Sequence, residues 1–313
     1  VFKEQEESMR RTLFLGVMLA AGLTHLSAAG SGELSPAVLQ EQFQYDDIRE
    51  IVVGSRYFGV DIAGEDRSGV AGEIFATEED RVVHRNQGGR LLVEVQPRRN
   101  ISFQMGTSPR LVLRIPREAA VRVESGSGSV RVVAVSHSQG VVVESGSGAV
   151  AVADIDGPTD VDTGSGSVDV RNVRGRVTIS TASGSIQAAG IDGDLRTDTA
   201  SGSQRLVRID GDVEATSASG GVQLNETEGR VRVETASGSQ QGEELVLTGD
   251  SSFRSSSGSI RMDFVNPLDE LRIDATAGSG TIRVGSNRGD RLVVGDGPIV
   301  VTGKTSSGGQ EYR

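Results

Sequence analysis

Cysteine and tryptophan are both absent from this 313-residue chain, and aromatic residues of all kinds make up only 4% of it. Zero cysteine removes disulfides, thiolate catalysis, cysteine-based zinc sites and a lipidated-cysteine anchor together. Residues 104–252 hold no aromatic side chain at all, so no ring platform for sugar stacking exists over that stretch. A compact domain of this length normally packs large rings, so the core must be thin and filled with Val, Ile, Leu and Ala. Histidine is equally scarce: His25, His84 and His137 stand alone, with no partner nearby in sequence. Basic charge is in the minority, 32 Lys and Arg against 43 Asp and Glu, for a net charge of −11. That balance argues against nucleic acid, which needs a basic face, and against tight binding to anionic lipid.

What the chain has instead is glycine, 42 residues of it, and much of it is periodic. The run Glu124-Ser125-Gly126-Ser127-Gly128-Ser129-Val130 returns as Glu144-Ser145-Gly146-Ser147-Gly148-Ala149-Val150 and continues. Aligned on its second glycine, the motif falls at Gly128, Gly148, Gly166, Gly184, Gly202, Gly220, Gly238, Gly258 and Gly280, in steps of 20, 18, 18, 18, 18, 18, 20 and 22. So regular a period means stacked copies of one small unit. Within a copy, short alternating strands (Val168, Val170, Val173; then Val177, Ile179, Thr181) are separated by two glycine-centred corners. The first is the Ser-Gly motif and the second holds Gly157, Gly175, Gly193, Gly211 and Gly229. Glycine suits such corners because it reaches positive φ without a Cβ clash. One copy cannot bury its own apolar face, whereas copies stacked at about 4.8 Å pair strand on strand.

The N-terminus sets a compartment. Met9-Arg10-Arg11 is a short basic region, residues 13–23 are apolar, and Leu26-Ser27-Ala28-Ala29 is a small-residue cleavage site. This is the layout of a secretory signal peptide. The chain then divides into a signal peptide at 1–29 (with Met9 as an alternative start), a linker at 30–45, a β-rich cap with the first coils at 46–122, and repeats at 123–313. Phe43, Tyr45, Tyr57, Phe58, Phe75 and Phe103 concentrate toward the cap, where apolar surface and a bare strand edge need covering.

Stacking predicts columns of like residues. One is a turn ladder of Ser127, Ser147, Ser165, Ser183, Ser201, Ser219, Ser237, Ser257 and Ser279. Two residues earlier stand Ser125, Ser145, Thr163, Thr181, Thr199, Ser217, Thr235, Ser255 and Ala277. The hydroxyls of both columns are expected to bond corner backbone groups, as Ser and Thr do in turns. The alternative is a regular hydroxyl array facing a periodic partner such as ice or a polysaccharide. At the second corner, Arg174 is expected between Asp156 and Asp192, while Asp192, Asp194, Asp210 and Asp212 form an acidic patch. The ordinary reading of that patch is a solvated Asp-Gly turn. The competing one is a metal site, with calcium as the candidate cofactor.

The Ser-Gly motifs lack the strand-to-helix setting of a hydrolase nucleophile, and the acidic patch is the one candidate for a catalytic carboxylate pair. The segment Arg110-Leu111-Val112-Leu113-Arg114-Ile115-Pro116, followed by Val121 to Val130 and by copies such as Thr181-Ala182-Ser183-Gly184-Ser185-Ile186 and Thr235-Ala236-Ser237-Gly238-Ser239, resembles the bacterial putative-adhesin family of β-strand repeats, a domain of unknown function. The resemblance runs from about Ile48 to the end of the chain, where Thr305-Ser306-Ser307-Gly308-Gly309 reads as a worn last copy. It implies an exported, adhesin-like β-solenoid and supplies no catalytic residues. The expected fold is all-β: a single-stranded right-handed parallel β-solenoid of about 18 residues per coil with a β-rich N-terminal cap. The expected function is a non-enzymatic binding or structural module of the cell envelope, periplasmic, surface-bound or secreted. Its partner is a surface component, protein or polysaccharide. The alternative is a binder or modifier of a periodic polysaccharide through the acidic turn patch.

Overall fold

The computed structural model describes residues 37–96 and 109–313. The expected signal peptide and its cleavage site lie outside the described residues. Two long sheets run the length of the described chain, one of fifteen strands and one of fourteen, here called the first and second sheet. Among the described residues no helix is long and apolar enough to cross a membrane.

Each coil contributes one strand to each sheet. Val177–Thr181 lies in the second sheet, the Ser-Gly corner follows, and Ile186–Asp192 lies in the first sheet. The glycine corner at Gly193 then leads to Leu195–Thr199, which pairs parallel with Val177–Thr181 eighteen residues earlier. Alternation explains the burial: Val177, Ile179 and Thr181 point in, while Thr178 and Ser180 lie outside. Buried aliphatics each contribute about 1.5–3 kcal/mol, and the columns Val168, Ile186 and Val170, Ala188 continue that core from coil to coil. The all-β solenoid expected from the repeat is the fold observed.

Two features depart from the simple repeat. In the first sheet six successive coils carry a residue that the ladder skips: Val170 pairs with Ala188 and Val173 with Ile191, while Asn172 has no partner in that ladder. Asp154, Asn172, Gly190, Arg208, Glu226 and Glu244 fill this position, all with φ between 53° and 68°. It is a left-handed kink repeated at 18-residue intervals without a change of register, and it keeps Val173 and its equivalents facing inward. Left-handed backbone costs a side-chain-bearing residue about 1–2 kcal/mol. Glu226→Gly, matching Gly190, should therefore raise stability by about 1 kcal/mol in chemical denaturation. A loss would show that the glutamate side chain is needed there.

The second departure is in the core. Gln204, Gln240 and Gln310 are buried in a column otherwise filled by Val130, Val150, Val168, Ile186, Val222, Ile260 and Ile282. Gln204 Oε1 accepts a hydrogen bond of 2.6 Å from Thr197, across the core in the same coil, and its Nε2 donates to the Thr216 carbonyl. Gln310 Nε2 donates to the Thr276 carbonyl at 2.7 Å and to Thr305 Oγ1 at 2.9 Å.

The cap also differs from expectation at its start. Val38–Asp46, which overlaps the segment read as linker at 30–45, is a strand on the edge of the first sheet, paired antiparallel with Gly69–Ala76. Phe43 lies over Gly72, where a Cβ would fall 2.1 Å from its ring. His84 is not an isolated surface group. It stacks on Phe43 at 4.0 Å, bonds the Tyr45 hydroxyl at 2.9 Å and pairs with Glu41 at 3.0 Å, tying the edge of one sheet to the edge of the other. His137 Nδ1 accepts from the Gln139 N–H at 3.0 Å.

Candidate functional site

The two corners and the outer face of the second sheet are the surfaces the repeat builds. At the Ser-Gly corner, glycine answers to crowding rather than to φ: none of Gly128, Gly148, Gly166, Gly184, Gly202, Gly220, Gly238 and Gly258 has positive φ. A Cβ on any of them would fall 1.7–2.0 Å from a backbone oxygen of the adjoining coil. The second corner follows the φ argument, with Gly157, Gly175, Gly193, Gly211 and Gly229 at +137° to +151°.

The two hydroxyl columns divide their roles. The buried one makes the corner bonds: Thr181 Oγ1 accepts from the Gly184 N–H at 2.9 Å and Thr199 Oγ1 from Gly202 at 3.0 Å, while Ser125 and Thr235 donate to the carbonyls of Gly128 and Gly238. Ser55 does the same for Phe58 in the cap. The expected ladder (Ser127, Ser147, Ser165, Ser183, Ser201, Ser219, Ser237, Ser257 and Ser279) is exposed along its whole length. Its backbone carries the register, as in Ser183 N–H to Gly164 at 3.1 Å and Ser201 N–H to Ala182 at 3.0 Å. Among the described residues, hydroxyl bonds are confined to the ends, Ser127 to the Arg56 carbonyl and Ser279 to Ser306 and Ser307, each 3.4 Å. Ser183→Ala should thus change stability by under about 0.5 kcal/mol. Thr181→Val, which strands the buried Gly184 N–H, should cost about 1–3 kcal/mol. Equal losses in denaturation would refute the division.

This corner is a charge-free surface. Gly126, Gly146, Gly164, Ala182, Ala200, Ala218 and Ala236 flank the serines on one side. Ser129, Ser167, Ser185, Ser203, Ser239 and Ser259 stand on the other. Ser307 joins the column, because Gly308 stacks between Gly258 and Gly280. The result is ten coils of hydroxyls repeating at about 4.8 Å.

The acidic corner has the expected order. Asp156, Arg174, Asp192, Asp210 and Glu228 are consecutive neighbours in the first sheet. Arg174 lies 3.6 Å from Asp192, and Arg176 lies 3.9 Å from Asp194. Asp194 also accepts the Asp212 N–H at 3.3 Å, and Asp212 accepts both the Arg230 N–H at 3.0 Å and its Nε at 2.9 Å. These bonds from Arg230 hold the Asp212 carboxyl below the ordinary carboxylate range. Asp192, Asp194 and Asp212 thus each face an arginine. No group of three or more His, Asp or Glu among the described residues is arranged to hold a metal ion.

Sequence reading missed the outer face of the second sheet. Glu94, Glu124, Glu144, Asp160 and Asp162 line a groove of about 690 Å³ around Gly54. Arg122 reaches Glu124 at 3.3 Å and Glu144 at 2.6 Å. Burial, followed by the charge of Asp162, raises the Asp160 carboxyl above the ordinary range, with Arg122 opposing. A second groove of about 680 Å³ farther along contains Arg196 paired with Glu214 and Arg230 paired with Asp212. The signal in sequence was the column at the fourth position before each glycine, Glu124, Glu144 and Asp162.

Comparison with known proteins bears on this architecture. A family model described as Toastrack DUF4097 matches residues 48–308. No curated protein matches the chain. Similar solved structures include a putative lipid binding protein from Parabacteroides distasonis, at 17% identity and TM-score 0.45, covering 87% of this chain and 96% of that one. A putative adhesin from Bacteroides fragilis follows at 9% identity and TM-score 0.37, covering 88% and 98%. A putative cell adhesion protein from Clostridium sporogenes stands at 10% and 0.26, covering 87% and 98%. At these scores they add nothing to what the family match establishes.

Proposed function

The chain belongs to the Toastrack DUF4097 family, and from that premise we propose that it is an exported, adhesin-like binding or structural module of the cell envelope, without catalytic activity, that offers a repetitive solenoid surface to its partner. The observation carrying this reading is the Ser-Gly corner, an uncharged, hydroxyl-bearing edge running through ten coils. Between its ends, the serine hydroxyls of this edge make no side-chain bond among the described residues, so a partner can take them without breaking the fold. A single hydroxyl contact is weak, but identical contacts repeated along one rigid edge add as multivalent binding. The partner that fits is an envelope or surface component with its own repeat, protein or polysaccharide. What supports a non-catalytic reading is that no side-chain hydrogen bond joins these serines to a base among the described residues, and that arginines face Asp192, Asp194 and Asp212 at the acidic corner.

Protease treatment of intact cells, beside periplasmic and medium fractions, tests the location. Digestion on intact cells is the expected result. Protection until the envelope is opened would remove the adhesin reading and leave a periplasmic scaffold. For binding, Ser165, Ser183 and Ser201 replaced together by Lys should abolish cell-surface attachment while the melting temperature stays unchanged. Attachment that survives would move the site elsewhere.

One observation favours a second reading. Asp192, Asp210 and Glu228 are acidic on three successive coils, and among the described residues only Asp192 of the three forms an ion pair with an arginine. A polysaccharide or calcium held there would raise the melting temperature, and Asp192, Asp194, Asp210 and Asp212 changed to Asn would erase that rise. Melting unaltered by envelope glycan, by calcium and by chelator would eliminate it.

A further inference from the structure

Coil order in space differs from coil order in sequence at both ends. In the second sheet the last long strand, Ile299–Ser307, pairs with Ser251–Ser255 on one edge and with Leu271–Ser279 on the other. In the first sheet Gln310–Tyr312 likewise lies between Ile260–Phe264 and Ile282–Val284. The final coil is therefore inserted one place inside the stack. The segment that precedes it in sequence, with its short strands Asn287–Gly289 and Arg291–Val294, forms the outer face.

The opposite end repeats the device. Glu50–Ser55, in the first coil of the chain, pairs with Arg90–Val95 outside it and Ala120–Ser125 inside it. Gly59–Glu65 lies between Arg110–Pro116 and Val130–Val133. Side chains fix both inserts. Val301 and Tyr312 are fully buried, and the Tyr312 hydroxyl donates to Gln310 Oε1 at 2.7 Å over Gly303, which has no Cβ to obstruct it. The Arg313 N–H donates to Met262 and its carbonyl accepts from Phe264. At the other insert Ile51, Val53 and Phe58 are fully buried.

We infer that the two inserted coils are clamps that stop the solenoid unravelling from its chain ends. An ordinary stack exposes its terminal coil on one side, so repeats peel away in sequence from that end. Here the last coil of the chain, and at the other end the coil that follows the edge strand Val38–Asp46, are hydrogen-bonded on both edges, and removing either breaks two interfaces at once. Tension on the C-terminus thus meets an enclosed strand first, and tension on the N-terminus meets one once Val38–Asp46 has come away from Gly69–Ala76. The inference rests on strand order alone and stands apart from the binding reading, so failure of either leaves the other intact.

Hydrogen exchange of the intact protein tests it. Peptides spanning 299–307 and 50–55 should exchange as slowly as 195–217 in the middle of the stack, and peptides from 284–294 should exchange first. Protection that declines steadily toward the chain ends, with 299–313 opening before 271–294, would overturn the clamp. Pulling on the two ends of the chain gives a second readout. After Val38–Asp46 detaches, the expected trace is one rupture that releases several coils together. Stepwise extensions of about 6 nm, the contour length of one 18-residue coil, would contradict it.

Discussion

Gly202→Ala should lose more than about 3 kcal/mol of stability, or fail to fold, although alanine is the smallest possible addition. The added Cβ would stand 1.7 Å from the Gly184 carbonyl oxygen and 2.5 Å from its carbon. Neither atom can rotate away, because both belong to a backbone held in register by the strands on either side, Thr199 over Thr181 and Gln204 over Ile186. The clash also propagates: Gly220 stands as closely on Gly202 as Gly202 does on Gly184. Gly88→Ala is the comparison that isolates the cause. Gly88 has φ +64°, and a Cβ added there would meet nothing within 4 Å, so alanine bears only the left-handed backbone cost of about 1–2 kcal/mol. Denaturant titration of the two variants should separate them clearly. Similar losses would mean that the Ser-Gly corner relaxes and that crowding is not what selects glycine.

Tyr312→Ala carries the other large effect, about 3–5 kcal/mol, the usual cost of deleting a buried aromatic ring. The ring is stacked with Phe264 at 6.2 Å and an interplanar angle of 8°, and it fills the space above Gly303. Tyr312→Phe keeps the ring but leaves Gln310 Oε1 without its donor, for a smaller loss of about 1–3 kcal/mol. The phenylalanine variant also has a pH signature. Burial raises the Tyr312 phenol above its ordinary value, so the folded state keeps a proton that the unfolded chain releases near pH 10. Stability from this group is complete below pH 10 and falls above it by about 1.4 kcal/mol per pH unit. Tyr312→Phe should remove that alkaline slope. A slope unchanged from that of the parent would show that Tyr312 is not the titrating group.

The repeat was legible because a solenoid is local in sequence. A strand pairs with the strand one coil away, so an 18-residue period translates directly into register, as Asp156, Arg174 and Asp192 illustrate. The acidic corner was readable for the same reason. Other features left a trace that was harder to interpret. Asp154, Asn172 and Gly190 are turn-type residues at one offset and fit a left-handed position, but Arg208, Glu226 and Glu244 continue the column with no such preference. The burial of Gln204 and Gln310 had no signal in the sequence, because their hydrogen-bond partners Thr197 and Thr276 lie across a core that only the closed coil brings together.

By itself, the sequence determined the coil length, the two corners, the buried columns and the lack of charge along the serine edge, since each follows from a period of alternation and the placing of glycine. Tertiary structure decided three further matters. It assigned the corner hydrogen bonds to Thr181 and its equivalents and left Ser183 and its equivalents to solvent, because a pleated strand buries every second side chain until the corner turns it. It set crowding, not φ, as the reason for glycine at Gly202, because that contact comes from the neighbouring coil. It also placed Ile299–Ser307 inside the stack and Leu271–Ser279 beyond it. Periodicity makes every coil an acceptable neighbour for every other, so order at the ends is fixed by the few contacts that are not periodic: Tyr312 on Gly303 and Phe264, and the antiparallel strand Arg291–Val294 that covers the outer edge.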